Sequence, residues 1–282
     1  MKILRHLLTS LVVIAGIVQA AASEFPLPVG LELESFNGGM HNDRSNTLEK
    51  VHRLGFKVVE LVGDYGLSPD EIKAELQSHG LRATSAHFPY TRFRDDPKGV
   101  AAECAALGLP IAGCPSMPQR DDLDEQGVLK AAEMFNRAGK AMSEKGMKFF
   151  YHPHGYEFKP HGAGTLFDLL MEKTDPKLVY FQMDVYWIVH AGVDPVKLLK
   201  RDPDRWVSMH LKDMRKGVPT GEFNGHVIQG NFAPLGQGQI DTVGVMRTAH
   251  EIGVKSYFIE DESASPDKGI PQSVQFLRTV AW

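Results

Sequence analysis

Cysteine is scarce: Cys104 and Cys114 are the only two in 282 residues, so no disulfide framework holds this chain together. Cys104 falls in a predicted helix and Cys114 at the end of a predicted strand, where burial as free thiols is a simpler expectation than a bridge. Basic charge is not in excess either. With 31 Lys and Arg against 35 Asp and Glu, the formal net charge is −4, which leaves no electrostatic footprint for nucleic acid. Low-complexity segments and composition shifts that would mark a linker are missing too.

Long apolar runs are absent apart from the start. MKILRH is short and basic, LLTSLVVIAGIV is apolar, and VQAAAS offers the small residues that a signal peptidase accepts. The apolar stretch is short for a bilayer span, so a signal peptide over residues 1–22 is the reading preferred to an anchor. No cysteine lies beside the cleavage site to take a lipid. The expectation is one domain over residues 23–282, exported to the periplasm or beyond, with no membrane contact after cleavage.

From residue 29 onward, short apolar runs alternate with amphipathic stretches. VGLELES, FKVVELV, RATSAHF, LPIAGC, MKFFYHP, LVYFQMD, WVSMHLK and SYFIEDE read as strands. The segments between them open on Ser, Thr or Asp and several close on Gly, which is helix-capping chemistry. Eight strand–helix units in this length predict an α/β (β/α)8 TIM barrel rather than an open doubly wound sheet. The first strand is followed by ESFNGG, without the GxGxxG spacing of a dinucleotide site. The longest irregular stretch, residues 214–240, is expected to cover the barrel mouth.

Function in such a barrel collects where strands end. Glu60 closes the second run, His87 the third, His152 and His154 the fifth, and Asp184 the sixth. His210 and Lys212 close the seventh, Glu260 and Glu262 the eighth. Carboxylates and imidazoles converging on one rim suit a single divalent metal ion (Mn, Zn, Co or Fe) with open positions for substrate oxygens. His152, Asp184, His210 and Glu260, from successive strands, are the candidate ligands. Tyr151, Tyr156, Tyr186, Trp187 and Phe232 either stack on a sugar face or pack the barrel wall. Trp206, opening the seventh strand, reads as structural.

YHPHGYEF, FQMDVYW with AGVDP, MHLKDM, PLGQGQID and FIEDES occur in order over nearly the whole mature chain. With these motifs the chain resembles the xylose isomerase-like TIM-barrel superfamily, the sugar phosphate isomerase/epimerase family. The resemblance implies one divalent metal on the last four strands, with Asp184, His210 and Glu260 at three ligand positions. It places His152 where family epimerases carry a glutamate. It also implies catalytic roles for Glu260, Lys212 and His154, and substrate contacts for His87, Glu60, Trp187 and Glu262.

Epimerases of that family use two opposed glutamates, so a histidine in place of one of them points to a single base. The implied activity is metal-assisted proton abstraction beside a carbonyl of a small-molecule sugar. Isomerisation or epimerisation is the first expectation, and a lyase or hydratase acting on 3-keto-glycosides is the alternative. Export, and the lack of a phosphate cradle or clustered arginines at the rim, favour a neutral sugar. An amidohydrolase would carry its HxH pair on the first strand, and a nuclease relative would need a basic groove. A non-enzymatic secreted carbohydrate-binding barrel is the remaining alternative.

Overall fold

The computed structural model describes residues 29–118 and 122–280, so the expected signal peptide and the start of the domain at residue 23 lie outside the described residues. All eight predicted strands form. They are β1 (Val29–Glu32), β2 (Val58–Val62), β3 (Arg82–His87), β4 (Ile111–Cys114), β5 (Lys148–Tyr151), β6 (Val179–Asp184), β7 (Trp206–Leu211) and β8 (Ser256–Ile259). Each pairs in parallel with the next, and β8 pairs with β1, which closes the barrel. Strands buried on both faces need apolar residues on both, hence the nearly continuous apolar runs.

One set of strand side chains meets the surrounding helices. Phe149 lies 5.0 Å from Phe93, Tyr151 stacks on Phe135 at 4.7 Å, and Trp206 packs on Phe167 at 6.1 Å. The other set fills the lumen. A Cβ on Gly113 would fall 2.3 Å from the Phe150 ring, and one on Gly30 would fall 2.7 Å from Phe258. Glycine is required at both places so that two phenylalanines can plug the base of the site.

The helices start as the sequence predicts. Ser68 and Glu71 form a reciprocal capping box, as do Thr165 and Asp168. The segment after β1 turns helical at once, through a 3-10 turn at Leu33–Phe36 into a helix at Asn37–Asn42. Cys104 and Cys114 are buried free thiols.

Two irregularities in strand pairing position the polar layer. Between β2 and β3 the register shifts after Val59, so that Glu60 sits beside Ser85. Between β6 and β7 it shifts after Phe181, which sets Gln182 beside Ser208 and Asp184 beside His210. Bulges of this kind re-aim side chains next to active sites.

Past β7, a two-residue antiparallel pair, Asp213–Met214 with Phe232–Ala233, carries residues 215–231 out and back. Part of this excursion reaches the mouth, where Gly225 and Val227 line a cavity. The PLGQG segment that follows is tied down by Asp213. Its carboxylate accepts the backbone N–H groups of Met214, Gly236, Gly238 and Ile240 at 2.8–3.1 Å. That motif is therefore structural.

Candidate active site

A belt of hydrogen bonds crosses the lumen below the mouth. Gln182 Nε2 donates to Glu60 Oε1 at 2.9 Å, and the Ser85 hydroxyl donates to the same oxygen at 2.5 Å. With its amide nitrogen so committed, Gln182 presents Oε1 to His87 Nε2 at 2.7 Å and to His152 Nδ1 at 2.9 Å. An acceptor oxygen requires a hydrogen on each of those ring nitrogens, which assigns the tautomers. His152 is left with its Nε2 lone pair, 3.5 Å from Asp184 Oδ2. Burial, with other imidazoles nearby, keeps His152 well below the ordinary histidine pKa, so the ring is neutral. Burial likewise lowers the pKa of His87.

Glu60 Oε2 contacts His210 Nε2. The sequence placed Glu60 at the rim as a hydroxyl binder, but it is fully buried with both oxygens engaged by protein groups. It orients His210. On the far side of that ring, Nδ1 lies 2.5 Å from Glu260 Oε2, yet the pair lacks hydrogen-bond geometry. Burial opposes charge on His210, but Glu60 and Glu260 outweigh it and hold its pKa well above the usual range. Without a metal the ring is an imidazolium between two carboxylates.

Asp184 divides its work. Oδ1 caps the helix Val185–His190 by accepting the Trp187 N–H at 3.0 Å, while Oδ2 is buried without a hydrogen bond. Asp184, His210 and Glu260 each offer an atom within 4.8 Å of the others, and His152 Nε2 joins them through its approach to Asp184. His87, His152 and His210 also cluster, as do Glu32, Glu60 and His87. In those groups, however, His87 Nε2, His152 Nδ1 and Glu60 are already paired within the belt. Asp184 Oδ2 and His210 Nδ1 make no hydrogen bond and are held by ion-pair contacts to Lys212 and Glu260, and a mixed N/O donor set around them fits one divalent ion.

Lys212 stands beside this cluster, just past β7. Its ammonium is 2.9 Å from Asp184, 2.8 Å from Glu260 and 2.6 Å from Glu262. Burial disfavours the charge, but those three carboxylates raise the lysine pKa well above its usual value. Glu260 responds in the opposite sense: burial would raise it, yet Lys212 and His210 bring it below the normal carboxylate range. Glu262, at the edge of the cavity, is pushed up by burial to about 7.

The cavity above these groups measures about 270 Å³. Glu32 and Glu34 enter it from the first strand and the turn after it, positions the sequence reading passed over. Glu32 Oε2 accepts the Glu34 N–H at 2.9 Å, and its other oxygen is 3.9 Å from His87 Nδ1. Burial, then the nearby Glu260, holds its pKa well above the ordinary carboxylate value, which favours the protonated form of a carboxyl that lines the mouth.

His154 lines the cavity, and its backbone N–H donates to Glu157 at 2.9 Å. The chain bends after β5, through a 3-10 turn at Tyr156–Phe158, and Glu157 contacts the Tyr151 hydroxyl rather than the Asp184, His210 and Glu260 cluster. Trp187, expected to touch substrate, is 1% exposed and packs behind His154 at 5.3 Å. Tyr151, Tyr156, Tyr186 and Phe232 are buried as well, and none of the five aromatics lines this cavity. They form its wall.

A family model described as "xylose isomerase-like TIM barrel" matches residues 48–280. The inosose dehydratase of Geobacillus kaustophilus is 25% identical over 262 residues, covering 81% of this chain and 82% of that protein. Among solved structures, a sugar phosphate isomerase/epimerase from Parabacteroides distasonis superposes with a TM-score of 0.76 at 24% identity. That match covers 95% of this chain and 99% of the other. The IOLI protein with a bound zinc atom gives a TM-score of 0.67 at 15% identity, covering 89% and 95%.

Proposed function

Since the chain belongs to the xylose isomerase-like TIM-barrel family, we propose that it is an exported, divalent-metal-dependent lyase of the dehydratase type. Its substrate is a neutral polyhydroxylated ketone such as a 3-keto-glycoside. The reaction removes a proton from the carbon beside the carbonyl and expels the oxygen substituent one carbon further on. The observation that carries this reading is the convergence of His152, Asp184, His210 and Glu260 at the floor of an acidic cavity. Glu32, Glu34, Glu260 and Glu262 line that cavity against Lys212 as its one lysine. Such a wall repels a phosphate and hydrogen-bonds a polyol.

When bound, the ion supplies Lewis-acid polarisation of the substrate carbonyl. Glu262, poised near neutral pH, takes the proton from the adjacent carbon. The Lys212 ammonium holds Glu262 in place and faces the negative charge that develops on the carbonyl oxygen. Glu260 is too strongly paired with Lys212 and His210 to act as the base, and serves as a ligand. Glu32 donates its proton to the departing oxygen, which leaves as water or an alcohol. His154 lines the pocket beside His152 at a ring separation of 4.9 Å.

Isomerisation of a free ketose on the same groups is the second reading, favoured by the family motifs. Elimination is favoured by the dehydratase relative and by His152 standing where the family's epimerases carry a second glutamate. Incubating the metal-loaded protein with free ketoses and with 3-keto-glycosides in D2O separates them. Release of the aglycone, or loss of one water by mass spectrometry, is the expected result. Deuterium uptake without bond cleavage would instead establish isomerisation, and no reaction together with no metal binding would leave a carbohydrate-binding barrel.

A further inference from the structure

Val227 (45% exposed) and Ile228 (55%) are the only exposed large hydrophobic side chains among the described residues. They are adjacent, and Val227 lines the acidic cavity. Their segment is tethered across the mouth. Gly221 and Glu222 donate their N–H groups to the His190 carbonyl at 2.8 and 3.1 Å. The His226 N–H donates to Asn224 Oδ1 at 3.1 Å. Gly155, in the loop after β5, lies so close that a Cβ there would fall 2.6 Å from the Asn224 carbonyl oxygen. Two aliphatic side chains are therefore fixed in water at the lip of a polar pocket.

Resting on the lyase reading, we propose that Val227 and Ile228 form a subsite for an apolar aglycone. The substrate class is then a keto-glycoside carrying an alkyl or aryl group. The sugar ring meets the carboxylates and imidazoles, and the non-sugar part emerges past the aliphatic lip. Aliphatic surface gains only from apolar surface, at about 25 cal/mol per Å² removed from water. A second sugar ring would instead set hydroxyls against Val227 and Ile228, whose side chains offer them no partner. The stoichiometry agrees. The carbon beside the carbonyl loses its proton to the base, the anomeric C–O bond breaks, a double bond forms, and the aglycone oxygen takes a proton and departs as an alcohol at the lip.

The test uses methyl and hexyl 3-keto-glucosides, which differ little in leaving ability, and a 3-keto-disaccharide. Wild-type protein should process and bind the hexyl compound about tenfold better than the methyl one. The double variant Val227→Ser/Ile228→Ser should reduce that ratio to about one, chiefly through weaker binding and slower turnover of the hexyl compound, with metal content unchanged. A hexyl/methyl ratio near one in wild type, or preference for the disaccharide, overturns the proposal. So does an unchanged ratio in a variant whose oligomeric state shifts, which would make the patch a subunit contact. Calorimetric binding separates the two readings. Tighter hexyl binding without turnover sinks the elimination and keeps the lip, whereas equal turnover of both glucosides does the reverse. Binding of neither overturns both.

Discussion

Gln182 and Glu60, on nearly opposite strands of the barrel, are joined through the lumen by a 2.9 Å hydrogen bond. That bond fixes which way the amide faces. Turned over, it would set its oxygen against a carboxylate oxygen, so the observed orientation is the one available, and it determines the tautomer of His152.

Gln182→Leu should weaken divalent-metal affinity by about 10–100-fold without touching a ligand, as loss of an orienting partner does. Titration calorimetry with Mn²⁺ or Zn²⁺ measures this, with far-UV circular dichroism confirming the fold. Unchanged affinity would remove Gln182 from the metal site.

Asp184→Asn keeps an oxygen to cap the helix Val185–His190 but removes the charge at Oδ2. Metal affinity should fall by at least about a hundredfold while the thermal midpoint of the metal-free protein changes little. His210→Ala should lose metal to a similar degree. Stoichiometric metal in both purified variants would contradict the site.

Lys212→Met leaves the buried Asp184 and Glu260 and the half-buried Glu262 without their shared cation. Destabilisation of the metal-free protein by about 3–5 kcal/mol is expected, as when one partner of a buried ion pair is deleted. Added metal should raise the melting temperature more in the variant than in wild type. Equal shifts would show that metal and ammonium do not share carboxylates.

Glu157 has a folded pKa of about 7, raised by burial, against 4.5 for the ordinary side chain. A raised carboxyl pKa stabilises the fold below about pH 4.5, and that contribution is lost as pH rises through 7, by up to about 3 kcal/mol. Glu157→Gln should therefore flatten stability across this window. Urea denaturation at pH 5 and pH 8, compared between the two proteins, reads the difference directly.

Glu32→Gln should lower turnover by about 10²–10⁴-fold if Glu32 supplies the proton to the departing oxygen. The loss should shrink for nitrophenyl leaving groups, which need no acid. Metal content stays as in wild type. An equal loss for every leaving group would assign Glu32 to binding.

The barrel was legible because each strand is a short apolar run, and the ionisable side chains closing six of those runs do reach one end of the lumen. His152, Asp184, His210, Glu260 and Lys212 were found that way. Gln182 and Ser85 were not, since an uncharged residue inside a run gives no reason to single it out. Gln182 does share a strand face with Asp184 two residues on, a signal that period-two alternation could have supplied. Glu32 was lost in the acidic VGLELES run, where only the fold distinguishes the buried carboxyl from its neighbours. Glu60 was placed too high because its position is set by the register shift against β3, which depends on pairing between strands.

The histidine at position 152 is wired to the opposite wall through Gln182, so it cannot be exchanged alone. Placing glutamate there would take one donor from the Gln182 oxygen and add a carboxylate beside Asp184, Glu260 and Glu262. A site with two opposed glutamates would thus demand concerted rewiring of the hydrogen-bond belt beneath it.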